Sequence, residues 1–169
     1  MMTIEQTARL ARRASRELAA CSSERKNAAL TAVRDALRAR AEAIIGANQQ
    51  DIEQAKRNHL SQPLLKRLKF DEAKLNEACA GLDSLIGLGD PVGKTLATTE
   101  LDAGLELYKV SCPIGVIGVI FESRPDALVQ ISSLCLKSGN AVLLKGGSEA
   151  AQTNRILAET ITQAAASAG

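Results

Sequence analysis

The stretch GVIGVIFESRP, residues 115–125, decides the fold. It begins with a continuous apolar run rich in β-branched residues, which is typical of a strand covered on both faces in a parallel sheet. The run passes directly into Glu122, Ser123 and Arg124, and Pro125 then opens a helical pattern. A buried strand that ends in three polar residues predicts a site at its carboxyl end.

A second strand and two helices follow this one. Residues 126–140 place apolar side chains on one helical face, with Gly139 as the helix stop. Residues 141–145 (AVLLK) form a second short buried strand, and a helix is predicted over 148–165. This order makes a βαβ unit and predicts an α/β fold with a parallel, doubly wound sheet. Because ligands bind at the carboxyl ends of strands in such sheets, the two polar strand ends are expected to face one crevice.

The second strand ends in Lys145, Gly146, Gly147 and Ser148, with Glu149 next. A lysine, glycines that permit close backbone approach and the first amides of a helix together favour a phosphate or ribose-phosphate. A plain strand-to-helix turn with a serine cap explains the same run, and spacing alone does not separate the two interpretations. The chain contains no G-x-G-x-x-G, which excludes a standard dinucleotide fingerprint.

The N-terminal half, residues 1–92, is predicted to be a helical layer. Apolar residues recur at steps of three and four through 23–57, which predicts one long helix there. Another helix is predicted over 5–20, a short one after Ser61, and a further one from Asp71 into the glycines that precede residue 90.

The periodicity changes after this layer. Residues 95–112 alternate in polarity and predict an extended ribbon with a turn at Gly104. Residues 113–169 then make up a βαβα unit. With only the strands over 115–121 and 141–145, the parallel sheet is expected to be incomplete in this chain.

The composition excludes several classes of partner. The chain has 21 basic and 19 acidic residues, a net charge of +2, two Phe, one Tyr and no Trp. It offers neither a strong positive field nor aromatic platforms for bases, so no nucleic-acid partner is expected. No apolar run reaches the length of a membrane span and no apolar signal region opens the chain, so a cytoplasmic protein without membrane contact is expected.

The cysteines do not form a recognisable site. Cys21, Cys79, Cys112 and Cys135 are scattered without a C-x-x-C pair, and His59 is the only histidine. A zinc site needs about four closely spaced ligands, so no metal site is expected. The cysteines are predicted to be mostly small buried apolar residues.

The segment GDPVGKT, residues 89–95, ends like a phosphate-binding loop. The motif requires a glycine where Leu88 stands, and a strand ahead of the loop where the end of a helix is predicted. Both requirements fail, which argues against a nucleoside triphosphate hydrolase.

A family resemblance rests on PIGVIGVIFESRPDALVQISSLCLKSGNAVLLKGGSEA, residues 113–150, and on ANQQDIEQA, residues 47–55. These segments resemble the gamma-glutamyl phosphate reductase family, a branch of the aldehyde dehydrogenase superfamily. The resemblance implies an aldehyde-dehydrogenase-like fold whose N-terminal helices lead into a Rossmann-like unit. The two polar strand ends carry its most specific motifs.

The resemblance implies an NADPH-dependent enzyme of proline biosynthesis, which converts glutamyl 5-phosphate into glutamate 5-semialdehyde and phosphate. In that superfamily a cysteine thiolate attacks the acyl group, and hydride from the cofactor then reduces the thioester. Homo-oligomerisation and an association with glutamate 5-kinase are the partner expectations.

The resemblance also implies roles for individual residues. Lys145 matches the superfamily's strand-end lysine, which contacts the adenosine ribose and its 2'-phosphate, and Gly146, Gly147 and Ser148 complete this cofactor-binding turn. Glu149 resembles the ribose-binding glutamate, although it lies one position further from the lysine.

At the other strand end, Ser123 stands where the superfamily has an oxyanion-stabilising asparagine. Arg124, with Glu122 beside it, is expected to bind the substrate. None of the four cysteines stands in the context of the family's nucleophile.

The chain is therefore expected to be the N-terminal, cofactor-side portion of such an enzyme, without its catalytic domain and inactive on its own. The alternative is a truncated, non-catalytic helical interaction module with a remnant nucleotide crevice.

Overall fold

The structure, a computed structural model, describes residues 2–168. Five helices precede a two-stranded ribbon, and a βαβα unit follows. The elements are α1 (Ile4–Ala19), α2 (Ser23–Ala39), α3 (Ala41–Arg57), α4 (Gln62–Leu68), α5 (Glu72–Gly87), β1 (Thr95–Asp102), β2 (Leu105–Val110), β3 (Val116–Ile120), α6 (Pro125–Lys137), β4 (Ala141–Lys145), a 3-10 turn (Ser148–Ala150) and α7 (Ala151–Ser167).

Local side-chain caps define several helix starts. Ser22 Oγ accepts the N–H of Arg25 at 3.3 Å at the start of α2, and the Asp71 carboxylate accepts the N–H of Lys74 at 3.1 Å at the start of α5. These caps satisfy amide groups that have no partner within the helix. The predicted starts at residues 23 and 71 agree with the structure to within one residue.

The prediction of one continuous helix over 23–57 was wrong. The chain leaves the helical conformation at Arg40, with φ −104° and ψ 16°, and α3 starts at the next residue. The apolar stripe continues across the break, since Leu37 and Ile44 are both fully buried. The Arg40 guanidinium donates to the Thr160 hydroxyl of α7 at 2.8 Å, a long-range contact that leaves no local pattern in the sequence.

The main core lies among α2, α3, α5, α6 and α7. Its fully buried members include Leu30, Leu37, Ile44, Phe70 and Leu157. The helical layer and the βαβα unit therefore share one core.

The predicted parallel βαβ unit is confirmed. β3 and β4 pair in parallel from Val116–Ala141 to Ile120–Lys145, and α6 makes the crossover between them. The prediction that the first strand is covered on both faces is wrong for the described chain, because Ile120 is 81% exposed. Within residues 2–168 the sheet has only these two strands, so each has an unpaired edge.

β1 and β2 form the predicted ribbon and pair antiparallel, with Gly104 at the turn in the left-handed region, at φ 75°. Every residue of both strands is exposed. Among the described residues, no helix has the length and apolarity needed to cross a membrane.

Candidate functional site

The carboxyl ends of β3 and β4 lie side by side and open on a cleft of about 350 Å³. Ile120 and Lys145 are the last paired residues of the two strands, so the turns that follow start from neighbouring positions. The cleft is lined by Leu60, Leu64, Ile120, Phe121, Glu122, Ser123, Lys145, Gly147, Ser148 and Glu149. The structure thus brings together six of the eight predicted site residues.

Arg124 and Gly146 do not line this cleft. The Arg124 guanidinium donates to the Asp126 carboxylate at 3.0 Å in the first turn of α6, and its side chain is 55% exposed. A Cβ at Gly146 would collide with the side chain of Asn154 and would lie 3.2 Å from Phe121. Gly146 therefore makes room for neighbouring side chains of the protein.

Ser123 and Glu149 connect the two turns. The backbone N–H of Ser123 donates to Oε1 of Glu149 at 2.6 Å, and Ser123 Oγ donates to the same oxygen at 2.7 Å. Ser123 is only 3% exposed. A buried N–H requires an acceptor, and Glu149 supplies it from a position 26 residues away in the chain.

The surroundings of Glu149 favour its ionised form. Burial opposes ionisation, but the hydrogen bonds from the Ser123 side chain and the local backbone, with the nearby charge of Lys145, outweigh it and lower the pKa of Glu149 below its ordinary value. Gly147 leaves the necessary space, because a Cβ there would collide with the Glu149 carboxylate.

Lys145 is the cationic side chain among the described residues that line the cleft. Across residues 2–168, its ammonium group forms no hydrogen bond and no salt bridge, although it lies near enough to Glu149 to influence that carboxylate. The buried lysines differ, because Lys26 is paired with Asp90 and Lys137 donates to Asn27. A cation at a strand end without a partner of its own suits an anionic ligand.

The amides at the start of α7 are already occupied. Asp51, on α3, accepts the N–H of Gln152 at 3.2 Å, the N–H of Thr153 at 2.8 Å and the Thr153 hydroxyl at 2.6 Å. Asn48 also donates to Thr153 Oγ1 at 3.2 Å, and it accepts the N–H of Phe70 at 2.7 Å. An anion in the cleft would therefore have to bind without the amides of Gln152 and Thr153.

The sequence interpretation missed this network. Its one local signal is Asn48, which stands in the apolar stripe of α3 and is 2% exposed. A buried amide at such a position has to find hydrogen-bond partners, and here they come from three other segments.

A second buried polar cluster holds the glycine-rich segment before β1. Lys26, 1% exposed, donates to both carboxylate oxygens of Asp90 at 2.7 and 3.0 Å, and Asp90 also accepts the N–H of Val92 at 2.9 Å. Burial opposes ionisation of Asp90, but the contacts with Lys26 and Val92 lower its pKa. Asp90 therefore ties the GDPVGKT segment to α2.

The cysteines lie away from the cleft. Cys79 and Cys135 are buried, and burial raises the pKa of both thiols, which disfavours the nucleophilic thiolate. Cys112 is exposed and Cys21 is partly exposed, so the prediction of mostly buried cysteines was wrong for Cys112 in particular. Among residues 2–168, no three His, Cys, Asp or Glu side chains are grouped so as to hold a metal ion.

Comparison with known proteins finds relatives that are similar over nearly the whole chain. No protein-family model matches the chain. The chain is 59% identical over 168 residues to gamma-glutamyl phosphate reductase of Acetivibrio thermocellus, covering 99% of this chain and 39% of that protein. It is 60% identical over 168 residues to gamma-glutamyl phosphate reductase of Pelotomaculum thermopropionicum, with the same coverage. The chain thus spans about two fifths of the length of these relatives.

Solved structures agree with the sequence comparison. Gamma-glutamyl phosphate reductase of Saccharomyces cerevisiae superposes with a TM-score of 0.94 at 42% identity, over 99% of this chain and 43% of that one. A probable aldehyde dehydrogenase of Listeria monocytogenes, at 19% identity and a TM-score of 0.67 over 94% of this chain and 32% of that one, shares the fold. The resemblance carried by the two strand ends is thereby confirmed: over nearly its whole length the chain is similar to gamma-glutamyl phosphate reductases, and it has the aldehyde dehydrogenase fold.

Proposed function

We propose that the protein to which this chain belongs reduces glutamyl 5-phosphate to glutamate 5-semialdehyde and phosphate, and that the chain supplies the NADPH-binding side. The single observation that carries the proposal is the cleft at the ends of β3 and β4, with the unpaired ammonium group of Lys145 at its rim, in a chain similar to these reductases.

The residues of the cleft fit a ribose-phosphate. Lys145 provides a cation that forms no hydrogen bond or salt bridge within the described chain, Ser148 is exposed, and Leu60 and Leu64 add apolar surface to the lining of the cleft. A cavity of about 350 Å³ accommodates part of a dinucleotide, with the remainder along the open edge of the sheet. When bound, the cofactor supplies the hydride; Lys145 would hold its 2'-phosphate and so select NADPH over NADH.

The turn after β3 faces the proposed substrate side. Glu122 lines the cleft, whereas Arg124 lies beside it and is held by Asp126. Arg124 is exposed enough to turn toward an anionic substrate. For Ser123 to act as an oxyanion donor, it must release at least one of its two hydrogen bonds to Glu149, because both donors are in use.

We place the nucleophilic cysteine of the reaction outside the four cysteines of this chain. Cys79 and Cys135 are buried, and none of the four lines the cleft. The chain would then be the N-terminal part of the cofactor-binding domain, with residues 1–92 as its helical layer, 95–112 as its ribbon and 113–169 as its βαβα unit.

The exposed ribbon supports self-association of the protein. Five apolar side chains of β1 and β2, whose residues are all exposed, are each at least half exposed: Leu96, Leu101, Leu105, Leu107 and Val110. Apolar strands of this kind are commonly covered in an oligomer. A cytoplasmic homo-oligomer, with glutamate 5-kinase as a further partner, is the corresponding proposal.

The test is a steady-state assay of the intact protein with glutamyl 5-phosphate, following the consumption of NADPH. We expect turnover with NADPH, weaker turnover with NADH, and a loss of the preference in Lys145→Met. No turnover together with no binding of NADPH would contradict the proposal and would favour a non-catalytic interaction module.

A further inference from the structure

We infer that Glu149 is a positioning residue: its carboxylate holds the turn at residues 122–124 in place through Ser123. The inference rests on the proposed function for its kinetic consequence, but the contact itself is a property of the fold. It differs from the role that the family resemblance gives Glu149, which is a direct contact with the cofactor ribose.

The first support is the direction of the hydrogen bonds. Both donors of Ser123, its N–H and its hydroxyl, are aimed at the single oxygen Oε1 of Glu149, at 2.6 and 2.7 Å. Bonds to an ionised acceptor are shorter and stronger than bonds between neutral groups. Among residues 2–168, the Ser123–Glu149 pair provides the side-chain hydrogen bonds that link the turn after β3 to the turn after β4.

The second support is the backbone of Ser123. Its φ of 43° lies in the left-handed region, which is strained for a non-glycine residue and persists only where the surroundings impose it. The Ser123 hydroxyl adds a second bond to Glu149 and so helps to hold this conformation. The left-handed conformation of Ser123 and the Glu149 carboxylate therefore fix this turn together.

The third support is Gly147. Its backbone is extended, at φ −70° and ψ 154°, so the turn does not require glycine for its conformation. Glycine is required for space, since a Cβ at this position would collide with the Glu149 carboxylate. The chain thus keeps room for Glu149 to fold back onto Ser123.

The consequence concerns where Glu122 and Arg124 point. These residues flank Ser123, so a change of its φ would redirect both side chains relative to the cleft. Glu149 acts through Ser123 on this turn, and its loss is expected to lower turnover more than cofactor affinity.

The experiment compares Glu149→Ala and Glu149→Gln in the intact protein, with Glu159→Ala as the matched control. Glu159 lies on α7 and pairs with Arg155 at the surface, away from the cleft. We expect Glu149→Ala to lower kcat about tenfold or more, from the loss of two charge-assisted bonds, with the NADPH Kd changed by less than about threefold. Glutamine keeps a carbonyl acceptor, so Glu149→Gln should recover most of kcat, and Glu159→Ala should match wild type.

A double-mutant cycle with Ser123→Gly sharpens the test. Glycine adopts positive φ freely and has no hydroxyl, so Glu149→Ala should cost less in this background than in wild type. A higher NADPH Kd for Glu149→Ala with unchanged kcat at saturating cofactor would overturn the inference in favour of a ribose contact. The inference would also be overturned if Glu149→Ala lowered kcat by the same factor in wild type and in the Ser123→Gly background.

Hydrogen exchange separates this inference from the proposed function. Exchange of the Ser123 amide, followed by mass spectrometry in the intact protein without cofactor, should be slow in wild type and faster in Glu149→Ala. This holds even if the protein fails to bind NADPH, in which case only the proposed function would be lost. Equal exchange rates in the two proteins would contradict the contact itself.

Discussion

Two polar regions of this molecule differ in how their polar groups are paired. One is the buried network of Asp51 at the start of α7, and the other is the cleft at the ends of β3 and β4. In the first, Asp51, Asn48 and Thr153 are each at most 5% exposed, and all are hydrogen-bonded to one another or to backbone. In the second, Lys145 is exposed and unpaired among the described residues. Saturated polar groups stabilise the fold, whereas unsatisfied ones at a strand end are available to a ligand.

The Lys26–Asp90 pair belongs to the first kind and gives the largest expected effect. Asp90→Ala would leave the Lys26 ammonium, 1% exposed, without a counter-charge, and we expect a loss of about 4 kcal/mol in the free energy of unfolding. Lys26→Met should cost less, because the Asp90 carboxylate is partly exposed and can be hydrated. Urea unfolding of both variants checks this order, and equal losses would contradict it.

The second-largest effect is expected for Asp51→Ala, which should lower the free energy of unfolding by about 3 kcal/mol, because two amides and one hydroxyl lose their acceptor. Asp51→Asn keeps one acceptor oxygen and should lose about half as much. The control is Asp35→Ala, since the Asp35 side chain is 58% exposed and its loss should be within about 0.5 kcal/mol of neutral. Urea unfolding is again the measurement. If Asp51→Ala lowered the free energy of unfolding no more than Asp35→Ala does, the role of Asp51 as an acceptor at the start of α7 would be contradicted.

Two glycines extend the comparison to the cleft. Gly147→Ala should destabilise by about 1–2 kcal/mol, because the new methyl group collides with the Glu149 carboxylate. Gly81→Ala in α5 meets nothing within 4 Å and should stabilise by about 0.5–1 kcal/mol. Opposite shifts in the thermal unfolding midpoint are the expected result, and shifts of the same sign would contradict the steric argument.

The smallest effect is the pH dependence of the Ser123–Glu149 contact. The pKa of Glu149 is lowered from about 4.5 in the fold, because the hydrogen bonds from Ser123 outweigh the effect of burial. Its contribution to stability is therefore fully present above pH 4.5 and is lost as the pH falls through the lower, folded value. Glu149→Gln removes this contribution, so the difference in stability between the two proteins should be constant near neutral pH and shrink in acid. A difference that grows in acid would contradict the sign.

Much of this arrangement follows from local patterns in the sequence. Caps and glycines predict the start of α2 and both ends of α5 and α6, and the two apolar runs predict β3, β4 and their parallel pairing. The meeting of the two polar strand ends follows from the geometry of parallel sheets. Each of these inferences uses residues that are near one another in the chain.

The remainder depends on contacts between distant residues. The break at Arg40 has no glycine or proline to announce it and is accompanied by a contact with Thr160. Asp51 caps a helix that starts 100 residues later. The contact of Glu149 Oε1 with both donors of Ser123 spans 26 residues of the chain. Such pairings create no periodicity or spacing, so only the folded structure reveals them.

The most direct test of the central claim is the affinity of the intact protein for NADPH and NADH, measured by fluorescence titration in wild type and in Lys145→Met. If the cleft binds the cofactor through Lys145, wild type should bind NADPH more tightly than NADH, and Lys145→Met should weaken NADPH binding about tenfold or more while leaving NADH nearly unchanged. Equal NADPH affinity in the two proteins, or no saturable binding in wild type, would contradict the account.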